Sequence, residues 1–170
     1  VLRHNGVEVV LPAQRPAPLP AIVYGNVKAA RRDLAYNVKH LAEAVRGGCT
    51  IVCSEPSAAL CLREELRHYV AGEDASLVSQ NTAELMNYLR ELRSRGKLRP
   101  AQQTVGDKFA YHLPCHLCAI GDETATLRLL QEHFKVDVTD LRAGCCGLSG
   151  TFGMQAKNYD LSSRISESLR

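Results

Sequence analysis

Short β-branched runs alternate along this chain with longer segments of helical period, and that alternation limits the possible folds more than any other feature. Val7-Glu8-Val9-Val10, Thr50-Ile51-Val52-Cys53, Phe109-Ala110-Tyr111-His112 and Val136-Asp137-Val138 read as strands. Between the first two, Asn26 caps a helix expected to run to Arg46, with Val27, Leu34, Val38, Leu41 and Val45 on one face and Gly47-Gly48 as its stop. Further helices are expected over 57–69, from Asn81 and Glu84 onward (Leu85, Leu89, Leu92), and over 124–134 with Leu127, Leu130 and Phe134 inward. A last helix carries Leu161, Ile165 and Leu169 at a spacing of four. Residues 12–20 are rich in proline and read as loop, 94–107 as a polar connection, and Gly144-Cys145-Cys146-Gly147 as a turn. Strands separated by helices join through crossovers, so the expected class is α/β with mainly parallel sheets.

An internal duplication is superimposed on this pattern. Val7-Glu8-Val9 precedes Pro16-Ala17 as Val136-Asp137-Val138 precedes Cys145-Cys146. Pro18-Leu19-Pro20-Ala21 then answers Gly147-Leu148-Ser149-Gly150, Tyr24-Gly25 answers Phe152-Gly153, and Asp33-Leu34 answers Asp160-Leu161. The order and near-constant offset suggest two copies of one strand–loop–helix unit. The expectation is two pseudo-repeated Rossmann-like βαβ lobes, 1–93 and 108–170, joined by 94–107. The first copy leads to a strand ending at Cys53, whose counterpart would fall beyond Arg170. The second lobe is therefore expected to stop before its last strand. With Val rather than Met at position 1, the chain reads as a piece of a longer polypeptide.

Charge removes several function classes. The 21 Lys+Arg and 18 Asp+Glu leave a net +3, and the bases are interleaved with acids, as in Arg63-Glu64-Glu65. That pattern is a solvated helix face, so no nucleic-acid partner is expected. No apolar run approaches the roughly 20 residues of a membrane span, and no signal peptide is legible. A cytoplasmic location is expected. Seven cysteines, an odd number without a secretory signal, argue for metal, cluster or redox chemistry rather than a disulfide framework.

Cys115 ends the third strand, in His112-Leu113-Pro114-Cys115-His116, and Cys145-Cys146 follow the fourth. Parallel strands place their carboxyl ends on one edge, where open α/β sheets bind ligands, so three sulfurs can converge there. Gly144 and Gly147 would let the backbone approach a bulky group, and a helix following Gly147 would aim its N-terminus at the site. The competing reading is of cysteines acting as small buried hydrophobes. Cys115-His116-Leu117-Cys118 is open between a dithiol pair and two zinc ligands, and Cys118 between an extra ligand, a spare thiol and a core residue. Cys53, at a strand end, could line the site; Cys61 reads as packing. His112 and His116 could tune or ligate a metal group, or simply be satisfied by backbone. No acid–base or nucleophile–base pair stands out.

His112-Leu113-Pro114-Cys115-His116 together with 144–153, and Cys53-Ser54-Glu55-Pro56-Ser57 with Tyr24-Gly25-Asn26, resembles the cysteine-rich CCG domain. Proteins with it include the iron–sulfur subunits of anaerobic glycerol-3-phosphate dehydrogenase, glycolate oxidase and heterodisulfide reductase, and the C-terminal parts of FAD-linked oxidase fusions. The resemblance implies a [4Fe–4S]-type cluster, in some members noncubane, or else zinc. Cys115, Cys145 and Cys146 match the ligands of the second copy. Pro16-Ala17 replaces the cysteine pair of the first copy, and the downstream Cys-x-x-Cys of the second has no match. Implied partners are a flavin dehydrogenase domain or subunit, which alone would carry FAD, and a ferredoxin-like iron–sulfur domain, with peripheral membrane or quinone contact through them. A zinc-binding or metal-free interaction domain is the rival implication.

Overall fold

The computed structural model describes residues 1–100 and 106–169. Part of the expected connection, residues 101–105, thus lies outside the described residues. In chain order the elements are α1 (Leu19–Val23), α2 (Val27–Arg46), β1 (Ile51–Cys53), α3 (Pro56–Leu60), a π turn (Cys61–Glu65), α4 (Leu66–Tyr69), α5 (Glu73–Gln80), β2 (Thr82–Glu84) and α6 (Leu85–Ser94). The second half adds β3 (Lys108–Tyr111), α7 (Cys115–Ala119), α8 (Ala125–Arg128) with a π turn (Leu129–His133), β4 (Asp137–Asp140) and α9 (Tyr159–Ile165).

Helix α2 forms as its sequence dictates. The Asn26 side chain accepts the Ala29 N–H at 3.2 Å, Gly47 closes the helix, and Leu34, Val38 and Leu41 are buried. Asn37 is buried as well. Its Oδ1 accepts the Arg15 N–H at 2.7 Å and its Nδ2 donates to the Arg15 carbonyl at 3.0 Å. The Arg15 guanidinium pairs with Asp33 at 2.6 Å and lies 4.4 Å from the centre of the Tyr36 ring. A proline-rich segment with few backbone bonds of its own is thereby fastened to a helix face.

The strands make two separate two-stranded sheets, both parallel. In one, Ile51 pairs with Thr82 and Cys53 with Glu84; in the other, Lys108 pairs with Asp137 and Tyr111 with Asp140. Each pair is joined through intervening helices, so the molecule mixes helix and strand around short parallel sheets. Residues 7–10, expected as a strand, form none. The Val7 N–H bonds to the Leu2 carbonyl at 3.2 Å, and the segment lies across a cleft of about 580 Å³ from the open edge of β1. A strand is defined by its partner, and this one has not paired. Conversely, α5 and α7 form where no element is expected from sequence, and β2 takes the place of the expected first turn of the helix from Asn81, so that α6 begins only at Leu85.

Two apolar clusters hold the helices. The larger joins Leu34, Val38, Leu41, Leu62, Leu66 and Val78 to Leu117 and Ile120, and so anchors the α7 region in the first half. The smaller joins Leu89, Leu92 and Leu98 to Leu129. Leu98, at 7% exposure, shows that the 94–107 connection is not polar throughout. In the helix over 124–134 the fully buried residue is Leu129; Leu127, Leu130 and Phe134 are half-buried. The last helix also departs from expectation: Leu161 and Ile165 are 44% and 42% exposed, and the buried residue between them is Ser162. No described helix is long and apolar enough to cross a membrane.

Candidate functional site

The parallel register of β3 and β4 sends the segments that follow them off the same edge. The Leu141 N–H extends the ladder one step by bonding the Tyr111 carbonyl at 3.0 Å. From there, Pro114 in an extended conformation starts α7 with Cys115 as its first residue. On the neighbouring strand, 141–146 runs without regular structure to Gly147. Arg142 (φ 46), Gly147 (φ 79) and Ser149 (φ 41) all lie in the left-handed region, so uncommon backbone brackets the cysteine pair.

Cys115, Cys145 and Cys146 come together at this edge. Desolvation, then the Cys145 thiol and the Cys146 thiol beside it, raise the Cys115 thiol above its ordinary value. Three neighbouring sulfurs resist sharing negative charge unless a cation lies among them, which is the condition a thiolate-bound metal satisfies. The Gly147 N–H donates to Cys145 Sγ at 3.3 Å. The donor set therefore suits a soft metal or an iron–sulfur cluster. Among the described residues, no group of three or more His, Cys, Asp and Glu side chains stands in an arrangement that could hold a metal ion.

The other candidates lie differently. Cys118 is exposed, and its S–H donates to Glu123 at 3.2 Å, which keeps that thiol protonated to higher pH. Cys53 ends β1 on the edge of the other sheet, and its side chain is in the larger core beside Cys61. Burial first, then Glu55 and Glu84, push the Cys53 thiol up to about 11; burial, Glu65 and Cys53 push Cys61 to about 12. His112 Nε2 is 2.9 Å from the Gly144 carbonyl, which only a protonated nitrogen can satisfy, so this nitrogen is a donor and not a ligand. His116 Nδ1 meets Ser57 Oγ at 2.7 Å, tying α7 to the start of α3.

One correction concerns the helix after Gly147. It begins only at Tyr159, so its N-terminus does not follow the cysteine pair directly. What meets the site is its Ser162, which donates from Oγ to the Gly147 carbonyl at 2.9 Å. A Cβ on Gly147 would stand 2.3 Å from the Ser162 carbonyl, and one on Gly153 would stand 2.3 Å from Ser162 Oγ. Gly147 is thus required by close approach of the chain to its own helix. Sequence reasoning missed Ser162; the available signal was a small polar residue inside an apolar period, opposite two glycines.

The chain is similar, at 29% identity over 97% of its length, to a subunit of the anaerobic glycerol-3-phosphate dehydrogenase of Escherichia coli K12. It matches the subunit of the same name from Escherichia coli O157:H7 to the same extent. The chain spans 41% of the length of each of these relatives. No family model matches it, and no solved structure does.

Proposed function

We propose that this chain is an iron–sulfur electron-transfer module of a flavin-dependent dehydrogenase, with Cys115, Cys145 and Cys146 as cluster ligands. The observation that carries the reading is the meeting of these three sulfurs on the carboxyl edge of the β3–β4 sheet, with the Gly147 amide on one of them. Similarity to a subunit of anaerobic glycerol-3-phosphate dehydrogenase supports it. A bound cluster, of [4Fe–4S] type and including noncubane forms, would supply a one-electron redox centre.

The protein's own part is to gather thiolates, place an amide donor on Cys145, and hold the Gly144 peptide through His112. The module would take electrons from FAD held in a partner subunit and deliver them to a quinone, a ferredoxin-like cluster or a disulfide, in the cytoplasm or at a membrane surface reached through the complex. In this reading 1–93 and 108–170 are two Rossmann-like lobes from one ancestral unit, with 94–107 between them, and Pro16-Ala17 marks the site the first has lost. Gly144 and Gly147 flank the surviving site, and Cys118 and Cys53 are auxiliary at most.

A second reading is a zinc-binding or metal-free interaction domain, and its metal-free form is favoured by one observation: the three sulfurs do not by themselves form a metal-holding group among the described residues. Iron and acid-labile sulfide analysis with EPR, on anaerobically purified protein, separates the two. Stoichiometric iron and sulfide, lost in Cys145→Ser, is the expected result. Zinc without sulfide would transfer the assignment to the second reading.

A further inference from the structure

Two contacts lace together the segments that leave the carboxyl edge of β3 and β4. The Leu141 N–H donates to the Tyr111 carbonyl at 3.0 Å, and His112 Nε2 donates to the Gly144 carbonyl at 2.9 Å. The second lace ends on the residue before Cys145, and Cys115, the first residue of α7, follows His112 on the other segment. The sulfurs gathered here do not form a metal-holding group among the described residues. Cys145 is in hydrogen-bonding reach of the Cys115 thiol, whereas Cys146 acts on it only through charge. We propose that Cys115 and Cys145 form a reversible disulfide, a modification site for low-molecular-weight disulfides such as oxidised glutathione, which locks the start of α7 to the loop after β4. The bridge needs no metal and so stands apart from the iron–sulfur reading. It uses two of the same sulfurs, so a bridged pair and a metal-bound pair exclude each other.

The other thiols are less suited to this pairing. Cys118 lies in the same helix, but its S–H is taken by Glu123 at 3.2 Å. Cys146 is the chain neighbour of Cys145. Consecutive Cα atoms across a trans peptide are about 3.8 Å apart, below the roughly 4.4 Å that an unstrained disulfide spans. Cys53 and Cys61 are buried in the core, out of reach of a soluble oxidant, whereas Cys115 and Cys145 are both exposed. Segment 141–146 has no regular structure, so it can make the small adjustment a bridge requires. The Gly147 N–H, 3.3 Å from Cys145 Sγ, holds that sulfur on the lined-up side of the turn.

The exchange runs in two balanced steps. The Cys145 thiolate attacks one sulfur of oxidised glutathione, the glutathione S–S bond breaks, and one glutathione leaves as its thiolate. The Cys115 thiolate then attacks the Cys145 sulfur of that mixed disulfide and releases the second glutathione. The protein has lost two electrons and two protons, and one small disulfide has become two thiols. Excess reduced glutathione reverses both steps.

The test is made on reduced, metal-free protein kept in chelator and exposed to oxidised glutathione, with the products read by non-reducing peptide mass spectrometry. A link within one chain, between the peptides that carry Cys115 and Cys145, is expected. Cys118→Ser and Cys146→Ser should retain it, and Cys115→Ser and Cys145→Ser should lose it. A link that vanishes in Cys118→Ser, survives in Cys145→Ser, or joins separate chains overturns the pairing. So do stable glutathione adducts on both cysteines without a link. His112→Ala cuts the nearer lace and should slow closure about fivefold, the effect of losing one ordinary hydrogen bond; an unchanged rate overturns the lacing as its cause. Iron and sulfide analysis answers separately for the iron–sulfur reading. A chain that binds a cluster yet never forms the link loses this proposal alone, and a chain that forms the link yet takes up no iron loses that reading alone.

Discussion

Cysteine chemistry in this molecule divides at the residue scale according to what surrounds each sulfur. Cys53 and Cys61 are in the core, where burial is the leading cause that pushes their thiols to about 11 and about 12. At pH 8 roughly one in a thousand or fewer of these groups is a thiolate, and the thiolate is what reacts. Iodoacetamide should therefore label the exposed Cys115, Cys118 and Cys145 in native protein and spare Cys53 and Cys61, as read by peptide mass spectrometry. Equal labelling before and after urea would contradict the burial. The same shifts set a pH dependence. The folded values lie above the ordinary 9.0, so the unfolded chain ionises first. The stabilisation is complete below about pH 9 and is lost as pH rises through 11 to 12. Thermal unfolding followed from pH 8 upward should show a slope that is shallower in Cys61→Ala. Cys61 is legible as a packing residue because its place inside a helix fixes its surroundings. Cys53 is legible as a strand end, but a strand end alone does not tell which face a side chain takes.

At the scale of elements, what can be read from sequence is whatever is decided locally. The cap at Asn26, the apolar period and the glycine stop all lie within α2, and all agree with its boundaries. The short strand β2 has no such record. Thr82-Ala83-Glu84 becomes a strand only because β1 lies beside it, and residues 7–10, with a better alternation, do not because nothing pairs with them. Glu84 shows both halves of the problem. The sequence makes it a frame for the start of α6, and its carboxylate does accept the Met86 and Asn87 amides at 2.7 and 3.2 Å. Its burial, at 4% exposure, has no local signature. Burial outweighs the hydrogen bonds and, with Asp122 nearby, raises its carboxyl above the ordinary 4.5. A raised carboxyl contributes stability at low pH that is lost as pH rises past its folded value. Glu84→Gln keeps an acceptor for the cap and removes the charge. Its stability relative to wild type, from urea unfolding, should therefore improve between pH 4.5 and pH 7; a relative loss over that interval would contradict the placement. Within α2, Leu34→Ala should cost about 2–5 kcal/mol by the same measurement, as for other fully buried leucines.

The whole molecule is joined across its middle by contacts that no local pattern announces. Tyr24, in the first half, meets Thr151, and Gln155 donates to the Tyr24 hydroxyl at 3.3 Å, so the Tyr24-Gly25 turn touches the 151–155 segment of the second half. Arg63, on the π turn after α3, pairs with Asp122 beyond α7 at 3.0 Å, while Arg93 on α6 pairs with Glu132 at 2.9 Å. The two ion pairs have similar lengths and differ in setting. The side chains of the first are 28% and 14% exposed, and those of the second 36% and 53%. Water screens the second pair, so a double-mutant cycle on Arg93 and Glu132 should give a coupling below about 0.5 kcal/mol. The first should give about 1 kcal/mol or more. Its two single variants should also differ, because Asp122 faces two groups: Arg63, which it attracts, and Glu84, whose charge it opposes. Arg63→Ala leaves two acids adjacent without their cation. Asp122→Ala removes the repulsion along with the attraction. Arg63→Ala is therefore expected to be the more destabilising at pH 7, and lowering the pH toward 4.5 should narrow the gap as Glu84 protonates. Equal losses at both pH values would mean that Arg63 acts only through Asp122, and that the buried carboxylate at the end of β2 is not coupled to the junction between the halves.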